Sequence, residues 1–345
     1  MKKYRVGILG ATGTVGQRFC RLLEDHPQFE ITALAASDRS AGKPYEEACA
    51  WKLPGRIPAA VRYIVVQPIE PPLDCDIVFS SLPSSVARET EEAFARASYP
   101  VISNSSSYRM DEDVPLLIPE INGDHVGLIE KQKENRGFTK GFIVTNPNCA
   151  VMSFAPPLAA LHGRFGVEEV AVTTLQAISG AGYPGVASLD ITDNVFPYIA
   201  GEEPKVEIEA QKILGRLGSN GIEKADFTVS AQCFRVNVVD GHTASVRVNL
   251  RETATLEEVV EAMRTFPSLD LHSSPARFID VTNEPSRPQP KLDRDSGQGM
   301  TVTVGRVFPD TVFDYKFVAL SHNTVRGAAG GAVLNAELLI SKGLI

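Results

Sequence analysis

The sequence predicts two domains of different fold class: an α/β domain with a doubly wound parallel sheet, then an α+β domain with a largely antiparallel sheet. Three observations predict this division. The chain has 345 residues, and about 150 residues is a common domain length. Short buried strands alternate with helical segments up to about residue 150, which is typical of parallel sheets. Long strands with few helices follow, which is typical of antiparallel sheets.

The first domain is expected to span residues 1–149 and to be completed by a C-terminal helix within 325–345. Its strands are predicted from short apolar runs at 4–9, 29–36, 76–79, 101–103 and 142–144. Helical patterns are predicted at 15–23, 86–97 and 326–341. Strands that alternate with helices pair in parallel, because each helix returns the chain to the same end of the sheet.

The second domain is expected to span residues 150–324. Its longer strands are predicted at 170–177, 227–238, 243–250, 300–307 and 313–320. Helical patterns occur at 152–162, 206–216 and 256–266. The segment 285–299 is rich in proline and glycine and is expected to be a loop.

A glycine-rich turn lies where the first predicted strand gives way to a helix. Gly10, Gly13 and Gly16 follow the spacing Gly-x-x-Gly-x-x-Gly. Such glycines allow a tight turn, a close approach of backbone to phosphate, and close helix packing, and the helix N-terminus attracts anions. A Rossmann-type dinucleotide-binding domain is therefore predicted, and a turn without a ligand is the alternative. The predicted cofactor contacts here are Gly10, Thr12, Gly13, Thr14 and Val15.

The end of the second predicted strand indicates which dinucleotide binds. NAD enzymes usually place an acidic side chain there, on the ribose hydroxyls. Here Ser37 and Ser40 can form hydrogen bonds with a 2′-phosphate and Arg39 can pair with it. Asp38 opposes this interpretation, because its carboxylate would repel the phosphate unless it points away. The run predicts NADP, and a solvated polar loop is the alternative.

A candidate nucleophile, Cys149, follows a predicted strand and precedes a predicted helix. The positive end of a helix lowers the pKa of a nearby thiol, which favours the reactive thiolate. His242 lies between two predicted strands and is a candidate general base if the fold brings it to Cys149. A packing cysteine and a structural histidine are the alternatives.

Composition narrows the class of protein. The net charge of −8 argues against a general nucleic-acid binder, which usually carries a basic face. Five widely spaced cysteines without a Cys-x-x-Cys pair predict neither a disulfide framework nor a zinc site, so no metal is expected. No apolar run approaches the roughly 20 residues of a membrane helix, and no signal region is apparent. We expect a soluble cytoplasmic protein.

Seven segments together resemble the aspartate-semialdehyde dehydrogenase family, most closely its branch typical of archaea and fungi, along nearly the whole chain. They are residues 10–16, 105–110, 146–149, 176–182, 209–214, 235–236 with 241–243, and 323–330. Their shared order is specific, although no single segment decides. Asn148-Cys149-Ala150 also fits this family better than it fits the related N-acetyl-glutamyl-phosphate reductases. Those enzymes have a Gly-Cys-Tyr pattern around the nucleophile.

The resemblance implies a reaction in lysine, threonine and methionine biosynthesis. L-aspartyl 4-phosphate would be reduced with NADPH to aspartate semialdehyde and phosphate. Cys149 would form a thioester with the acyl group. His242 would take the thiol proton and later protonate the thiohemiacetal oxygen. Gln176 and Asn148 would orient the nucleophile and its intermediates.

The resemblance also implies partners for each charged group of the substrate. Arg235 would bind the carboxylate through its planar guanidinium, and Glu209 would face the ammonium. Lys212 and Arg109 would bind the phosphate. An exposed i,i+3 ion pair is the alternative for Glu209 and Lys212.

The remaining predicted cofactor contacts are Ser80, Ser179, Gly180 and Asn323. Asn323 could instead cap a helix. The family also implies a homodimer or homotetramer with dimer contacts through the second domain. Two other functions stay open. A malonyl-CoA reductase of the same family would share the nucleophile and base, and a non-catalytic redox sensor would need the cofactor turn alone.

Overall fold

The computed structural model describes residues 3–219 and 221–345. These residues form thirteen strands and eleven α-helices. The strands are β1 (Tyr4–Leu9), β2 (Phe29–Ala35), β3 (Ile77–Ser80), β4 (Pro100–Ser103), β5 (Phe142–Thr145), β6 (Val167–Gln176), β7 (Arg216–Gly218), β8 (Gly221–Glu223), β9 (Thr228–Arg235), β10 (His242–Leu250), β11 (Ile279–Val281), β12 (Val302–Pro309) and β13 (Tyr315–Ser321). The helices are α1 (Thr14–Leu22), α2 (Tyr45–Ala48), α3 (Ser84–Arg96), α4 (Pro119–Asn122), α5 (Leu128–Arg136), α6 (Val151–Phe165), α7 (Ser188–Ile191), α8 (Glu202–Ile213), α9 (Leu256–Arg264), α10 (Pro290–Asp293) and α11 (Gly330–Ser341).

The first sheet has five parallel strands in the order β2-β1-β3-β4-β5. Every residue of β3, β4 and β5 is buried. Both faces of this part of the sheet are therefore covered, as parallel sheets require. The chain reverses its direction of winding between β1 and β3, where such sheets bind ligands beyond the carboxyl ends of their strands. The predicted doubly wound α/β fold is confirmed.

The second sheet is mixed, with the strand order β11-β12-β13-β10-β6-β9. The three central pairings, β12 with β13, β13 with β10 and β10 with β6, are antiparallel. The two outer pairings, β11 with β12 and β6 with β9, are parallel. The predicted largely antiparallel sheet is confirmed, and the parallel outer pairs are an addition. The β6–β9 pair has the long, helix-containing connection that parallel strands need.

The chain forms two compact units. The first contains the residues up to 117, 124–146 and 328–345, and the second contains 118–123 and 147–327. The predicted limits of the functional domains, at 149/150 and 324/325, stay a prediction.

Two differences from the expectation lie in the C-terminal part of the chain. The predicted loop at 285–299 contains α10, which begins with Pro290, and a 3₁₀ turn at Ser296–Gly299. Proline is favoured at the first position of a helix, so its presence did not exclude one. The C-terminal helix α11 begins at Gly330, later than predicted, because a π-helical turn occupies Val325–Ala329.

Helix α6 follows the candidate nucleophile and is apolar on all sides. Its residues are buried at all but three positions. A helix that is hydrophobic all round belongs in a core, and α6 packs on β10, β13 and α9. In the part of the chain that the structure describes, no helix has both the length and the apolarity that crossing a bilayer requires.

Candidate active site

Three strands of the second sheet bring predicted site residues to one edge. Gln176 ends β6, Arg235 ends β9, and the two residues are register partners in the parallel pair. His242 begins β10, which runs antiparallel to β6 with Thr243 opposite Leu175. Because antiparallel neighbours have opposite ends adjacent, the start of β10 lies at the same edge as the ends of β6 and β9.

The structure brings Cys149 and His242 into contact. The Sγ atom of Cys149 and the Nε2 atom of His242 are 3.2 Å apart. Cys149 is partly exposed, whereas His242 is fully buried. Cys149 lies directly before Ala150, the N-cap residue of α6. The sulfur therefore has both a hydrogen-bonding partner and a nearby helix N-terminus, the two features that activate a thiol.

His242 is held from its other side by the backbone. The N–H of Ala177 donates to Nδ1 of His242 over 3.0 Å. Burial, followed by the charges of Arg235 and His322, lowers the pKa of His242 to about 3. The imidazole is therefore neutral near pH 7.

Arg235 lies against the same segment. Its Nη1 donates to the carbonyl oxygen of Ala177 over 2.7 Å. Burial lowers the pKa of Arg235, while Cys149 and Glu202 oppose this effect electrostatically. A guanidinium keeps its charge in proteins, so Arg235 supplies a positive charge to this edge.

Gly180 closes over both of these side chains. A Cβ atom at this position would lie 2.9 Å from Nη1 of Arg235 and 3.1 Å from Cε1 of His242. Neighbouring Ser179 accepts a hydrogen bond from Asn323 over 2.8 Å, and Asn323 accepts one from the N–H of Gly241. The predicted cofactor contacts Ser179, Gly180 and Asn323 thus lie beside His242, and the Asn323 side chain does not cap a helix here.

Two buried carboxylates hold Asn148, the residue before the nucleophile. Glu209 accepts from the backbone N–H of Asn148 over 2.6 Å, and Glu202 accepts from its side-chain amide over 2.9 Å. The side-chain oxygen of Asn148 accepts from the N–H of Ala150. Asn148 therefore links α8 to the start of α6, which orients Cys149. Glu202 carries no motif of its own, and sequence reasoning missed it.

Glu209 and Lys212 share the buried face of α8. Their relative exposures are 1% and 3%, whereas the alternative of an ordinary surface ion pair requires exposed side chains. Buried charges require compensating partners. Gln176 is also buried, and its amide donates to Thr174 over 3.3 Å.

The backbone of Gly327 packs directly on the nucleophile. A Cβ atom at position 327 would lie 2.8 Å from the Cβ atom of Cys149. The preceding residue, Arg326, forms a fully buried two-pronged ion pair with Glu120, at 2.9 and 2.6 Å. Gly327 falls within a segment that carries the family resemblance, but the residue was not predicted to act on Cys149.

In the first unit, the glycine turn has the geometry of a phosphate cradle. Gly10 has a φ of +76°, a backbone conformation that favours glycine. A Cβ atom on Gly16 would lie 2.3 Å from the carbonyl oxygen of Gly10. Gly13 is the N-cap residue of α1 and is exposed, and Thr12, Thr14 and Val15 are partly exposed. The free N–H groups at the start of α1 therefore fit an anionic group.

The residues expected to determine whether NAD or NADP binds follow β2. Ser37, Asp38 and Arg39 are exposed and Ser40 is partly exposed. The N–H of Ser40 donates to the carbonyl oxygen of Ser37 over 2.8 Å, which forms a turn. This arrangement leaves polar side chains accessible, which is compatible both with a 2′-phosphate site and with a solvated loop.

Ser80 and Arg109 have their own contacts within the first unit. The hydroxyl of Ser80 is fully buried and donates to Glu91 over 2.6 Å. Ser103 donates to the same Glu91 oxygen over 2.7 Å. Any contact of Ser80 with a cofactor would therefore use its backbone. Arg109 donates from Nη2 to the carbonyl oxygen of Asn104 over 2.8 Å.

Buried side-chain amides hold Asn146, the last residue of the first unit before the chain reaches Cys149. Asn146 donates to Asn104 and to the carbonyl oxygen of Ala328, each over 2.8 Å. Asn335 in α11 donates to the side-chain oxygen of Asn146. Asn335 was missed in the sequence because a single asparagine in an apolar helix has no distinguishing spacing.

No cluster of three or more His, Cys, Asp or Glu side chains suited to a metal ion occurs within residues 3–219 and 221–345.

Comparison with known families covers both units. Residues 5–129 match the model described as "Semialdehyde dehydrogenase, NAD binding domain". Residues 158–326 match the model described as "Semialdehyde dehydrogenase, dimerisation domain".

Full-length relatives agree with these matches. The aspartate-semialdehyde dehydrogenase of Archaeoglobus fulgidus is 52% identical, with 99% of this chain and 100% of the relative covered. That of Aspergillus fumigatus is 50% identical, with 99% of each chain covered.

Solved structures agree as well. The crystal structure of aspartate semialdehyde dehydrogenase with NADP from Candida albicans superposes with a TM-score of 0.91 at 42% identity, over 100% of both chains. The structure of aspartate semialdehyde dehydrogenase II complexed with ASA from Vibrio cholerae gives 0.79 at 26% identity, over 99% of both chains.

Proposed function

The chain belongs to the aspartate-semialdehyde dehydrogenase family, and on that premise we propose that Cys149 is the nucleophile of the family's reaction and His242 its acid–base partner. The observation that carries this proposal is the 3.2 Å contact between Sγ of Cys149 and Nε2 of His242 at the start of α6. The sulfur attacks the acyl carbon of L-aspartyl 4-phosphate and phosphate leaves, which yields a thioester. The thioester accepts hydride, which the reduced nicotinamide supplies when bound, and the aldehyde is then released.

Asn148 and Gln176 position the nucleophile and its intermediates in this proposal. Asn148 is tied to Glu202, Glu209 and the N–H of Ala150. Such a fully bonded residue holds the neighbouring sulfur in one place, which favours attack because the reacting atoms are already oriented.

The substrate's charged groups have proposed partners. Arg235 binds the carboxylate, since its buried guanidinium carries a positive charge at the same edge as His242. Glu209 binds the ammonium, and Lys212 and Arg109 bind the phosphate. Support for Glu209 and Lys212 comes from their burial, because buried charges are retained where an oppositely charged partner is present.

We propose NADP as the cofactor. The glycine turn and the start of α1 bind its phosphates, with Gly10, Thr12, Gly13, Thr14 and Val15 as contacts. Ser37, Arg39 and Ser40 bind the 2′-phosphate, and Ser80, Ser179, Gly180 and Asn323 complete the site. The family match supports a nicotinamide dinucleotide, and a relative of known structure is described with NADP.

We propose a separate role for each of the two predicted domains. Residues 1–149 with 325–345 bind the dinucleotide, and residues 150–324 carry catalysis and dimerisation. The match to a dimerisation domain supports a homodimer, or a homotetramer built from dimers.

Replacement of the nucleophile tests the proposal. Cys149→Ala should abolish the NADP-dependent oxidation of aspartate semialdehyde in the presence of phosphate, with NADP affinity unchanged. Cys75→Ala is the matched control, because this buried cysteine lies in the first unit beside Gly7. Substantial activity in Cys149→Ala would rule out the thioester route.

A further inference from the structure

We infer that the hydroxyl of Tyr45 and the amide of Gln17 are positioning groups of the cofactor site. They hold the carbonyl oxygens of Ala11 and Thr12 toward the protein, so that the glycine turn presents N–H groups to the phosphates of the dinucleotide. The inference rests on the proposed binding of a dinucleotide at this turn. It gives a function to Tyr45, which is 34 residues away from Ala11 in the chain.

The hydroxyl of Tyr45 has a fixed direction. Tyr45 is the first residue of α2 and is fully buried. Its hydroxyl donates to the carbonyl oxygen of Ala11 over 2.8 Å, since a carbonyl oxygen only accepts. The thiol of Cys20 donates to the same hydroxyl oxygen over 3.6 Å. The hydroxyl therefore accepts from Cys20 and gives its one proton to Ala11.

This bond sets the orientation of the peptide group that joins Ala11 to Thr12. In a trans peptide group the C=O and N–H bonds point in opposite directions. Because the carbonyl points to buried Tyr45, the N–H of Thr12 points away from the core. The N–H of Ala11 donates to the carbonyl oxygen of Ala35 at the end of β2, over 3.0 Å. A Cβ atom on Gly16 would lie 2.7 Å from Cα of Ala11, so α1 also confines this residue.

Gln17 holds the next carbonyl of the turn. Its side chain is buried, and Nε2 donates to the carbonyl oxygen of Thr12 over 3.0 Å and to that of Ala50 over 3.2 Å. Its Oε1 accepts from the N–H of Lys52 over 2.7 Å. Ala50 and Lys52 follow α2, so Tyr45 and Gln17 both connect the turn to one segment, residues 45–52.

The two bonds matter because of the sign of the charge that each backbone group carries. Phosphates bind at a helix N-terminus through N–H groups, which carry partial positive charge. Rotation of the Ala11–Thr12 peptide group would replace the N–H of Thr12 with a carbonyl oxygen, which repels a phosphate. A buried carbonyl without a donor costs free energy, and this rotation would relieve that cost by moving the oxygen toward solvent. The Tyr45 hydroxyl removes the incentive for this rotation.

Tyr45→Phe tests the inference, because it keeps the ring and removes only the hydroxyl. The Kd values of the full-length enzyme for NADP and for NAD are measured by isothermal titration calorimetry. We expect both to rise by about tenfold, since the carbonyl of Ala11 loses its partner and the two cofactors carry the same pyrophosphate. The KM for NADP should rise with them, while kcat and the KM for aspartate semialdehyde stay within about twofold, the pattern of lost cofactor binding.

Tyr99→Phe is the matched control. The hydroxyl of Tyr99 also donates to a backbone carbonyl oxygen over 2.8 Å, that of Leu73, and both residues belong to the first unit. Its removal should lower the temperature of unfolding, as Tyr45→Phe does, but leave both Kd values within about twofold of the parent's. Any effect of general destabilisation on cofactor binding would appear in both tyrosine variants.

Three results would overturn the inference: unchanged Kd values in Tyr45→Phe, equal increases in the two tyrosine variants, or an increase for NADP alone. Gln17→Met, which keeps the length of the side chain and removes the amide, should also raise both Kd values. If Tyr45→Phe does not fold, unchanged Kd values in Gln17→Met overturn the inference instead. A parent that binds NADP and NAD equally would refute the proposed choice of NADP and leave this test intact, so the two failures are distinguishable.

Discussion

The cofactor turn of the first unit and the thiol site of the second are built from different groups. In the turn at residues 10–16, backbone N–H groups and glycines form the proposed binding surface. Ser37 and Arg39, which follow β2 and are proposed to bind the 2′-phosphate, are exposed. In the thiol site, buried side chains such as His242 and Arg235 hold one another and the backbone. The exposed side chains of the first unit are therefore surrounded by solvent, whereas the buried side chains of the thiol site are surrounded by protein.

This difference has an energetic consequence. Removing one partner of a buried charged group leaves the other without compensation, which costs more than the contact itself contributed. Exposed polar groups recover their hydrogen bonds from water. Substitutions in the thiol site should therefore have larger effects than chemically similar substitutions near the cofactor turn.

The largest effect is expected for Arg235→Ala. It removes the proposed carboxylate partner and the counter-charge of Cys149 together. We expect kcat/KM for aspartate semialdehyde to fall by roughly 3–5 kcal/mol of transition-state stabilisation, the range for breaking a buried ion pair. Arg247→Ala, an exposed arginine on β10, is the control and should change little. Similar losses in both variants would contradict the assignment.

A buried glutamate in the first unit offers a test of stability. Burial raises the pKa of Glu91 to about 7, against the hydrogen bonds from Ser80 and Ser103 that favour the carboxylate. The folded state thus favours the protonated form, so its stabilising contribution is complete at acidic pH and is lost as pH rises through about 7.

Glu91→Gln should therefore stabilise the protein at pH 8.5 by up to roughly 3 kcal/mol relative to its effect at pH 5. The measurement is urea unfolding of parent and variant at both pH values. An identical pH dependence in the two proteins would show that Glu91 is not protonated in the fold.

A smaller effect is expected for Glu209→Gln, which keeps an oxygen for the N–H of Asn148 but removes the charge. We expect kcat/KM for aspartate semialdehyde to fall about tenfold or more, which corresponds to 1.4 kcal/mol or more. Succinate semialdehyde has no ammonium and should be affected less. Glu207→Gln, on the same helix, is the control. Equal losses with both substrates would indicate an effect on the loop and not on ammonium binding.

The smallest effect is expected for Arg39→Ala, because this side chain is exposed and partly screened by water. The ratio of kcat/KM with NADP to that with NAD should fall by about 1 kcal/mol. The reaction of each protein with NAD is the control for its reaction with NADP, since the two cofactors differ only in the 2′-phosphate. A parent enzyme that uses both cofactors equally well would contradict the NADP assignment.

The first unit could be predicted from the sequence because its signals are local. The turn at 10–16 combines a strand, three glycines and a helix within a few residues, and alternation of strands and helices predicts the parallel sheet.

Three short strands of the second unit were not predicted. Each of β7, β8 and β11 has three residues, which is too short for a periodic pattern.

The thiol site depends on contacts that have no local signal. Cys149 and His242 are 93 residues apart in the chain, and only the family resemblance predicted that they act together. The donor that fixes the ring, the N–H of Ala177, belongs to the backbone and is common to all residues except proline. Glu202 and Gly327 likewise act through the three-dimensional arrangement and not through spacing.

The thioester itself provides the most direct test of the account. The enzyme is mixed with L-aspartyl 4-phosphate in the absence of reduced cofactor, quenched in acid and analysed by mass spectrometry of the intact chain and its peptides. We predict one aspartyl adduct on the peptide that contains Cys149, and none in Cys149→Ala. An adduct on another residue, or no adduct in a parent enzyme that turns over normally, would contradict the assignment of Cys149 as nucleophile.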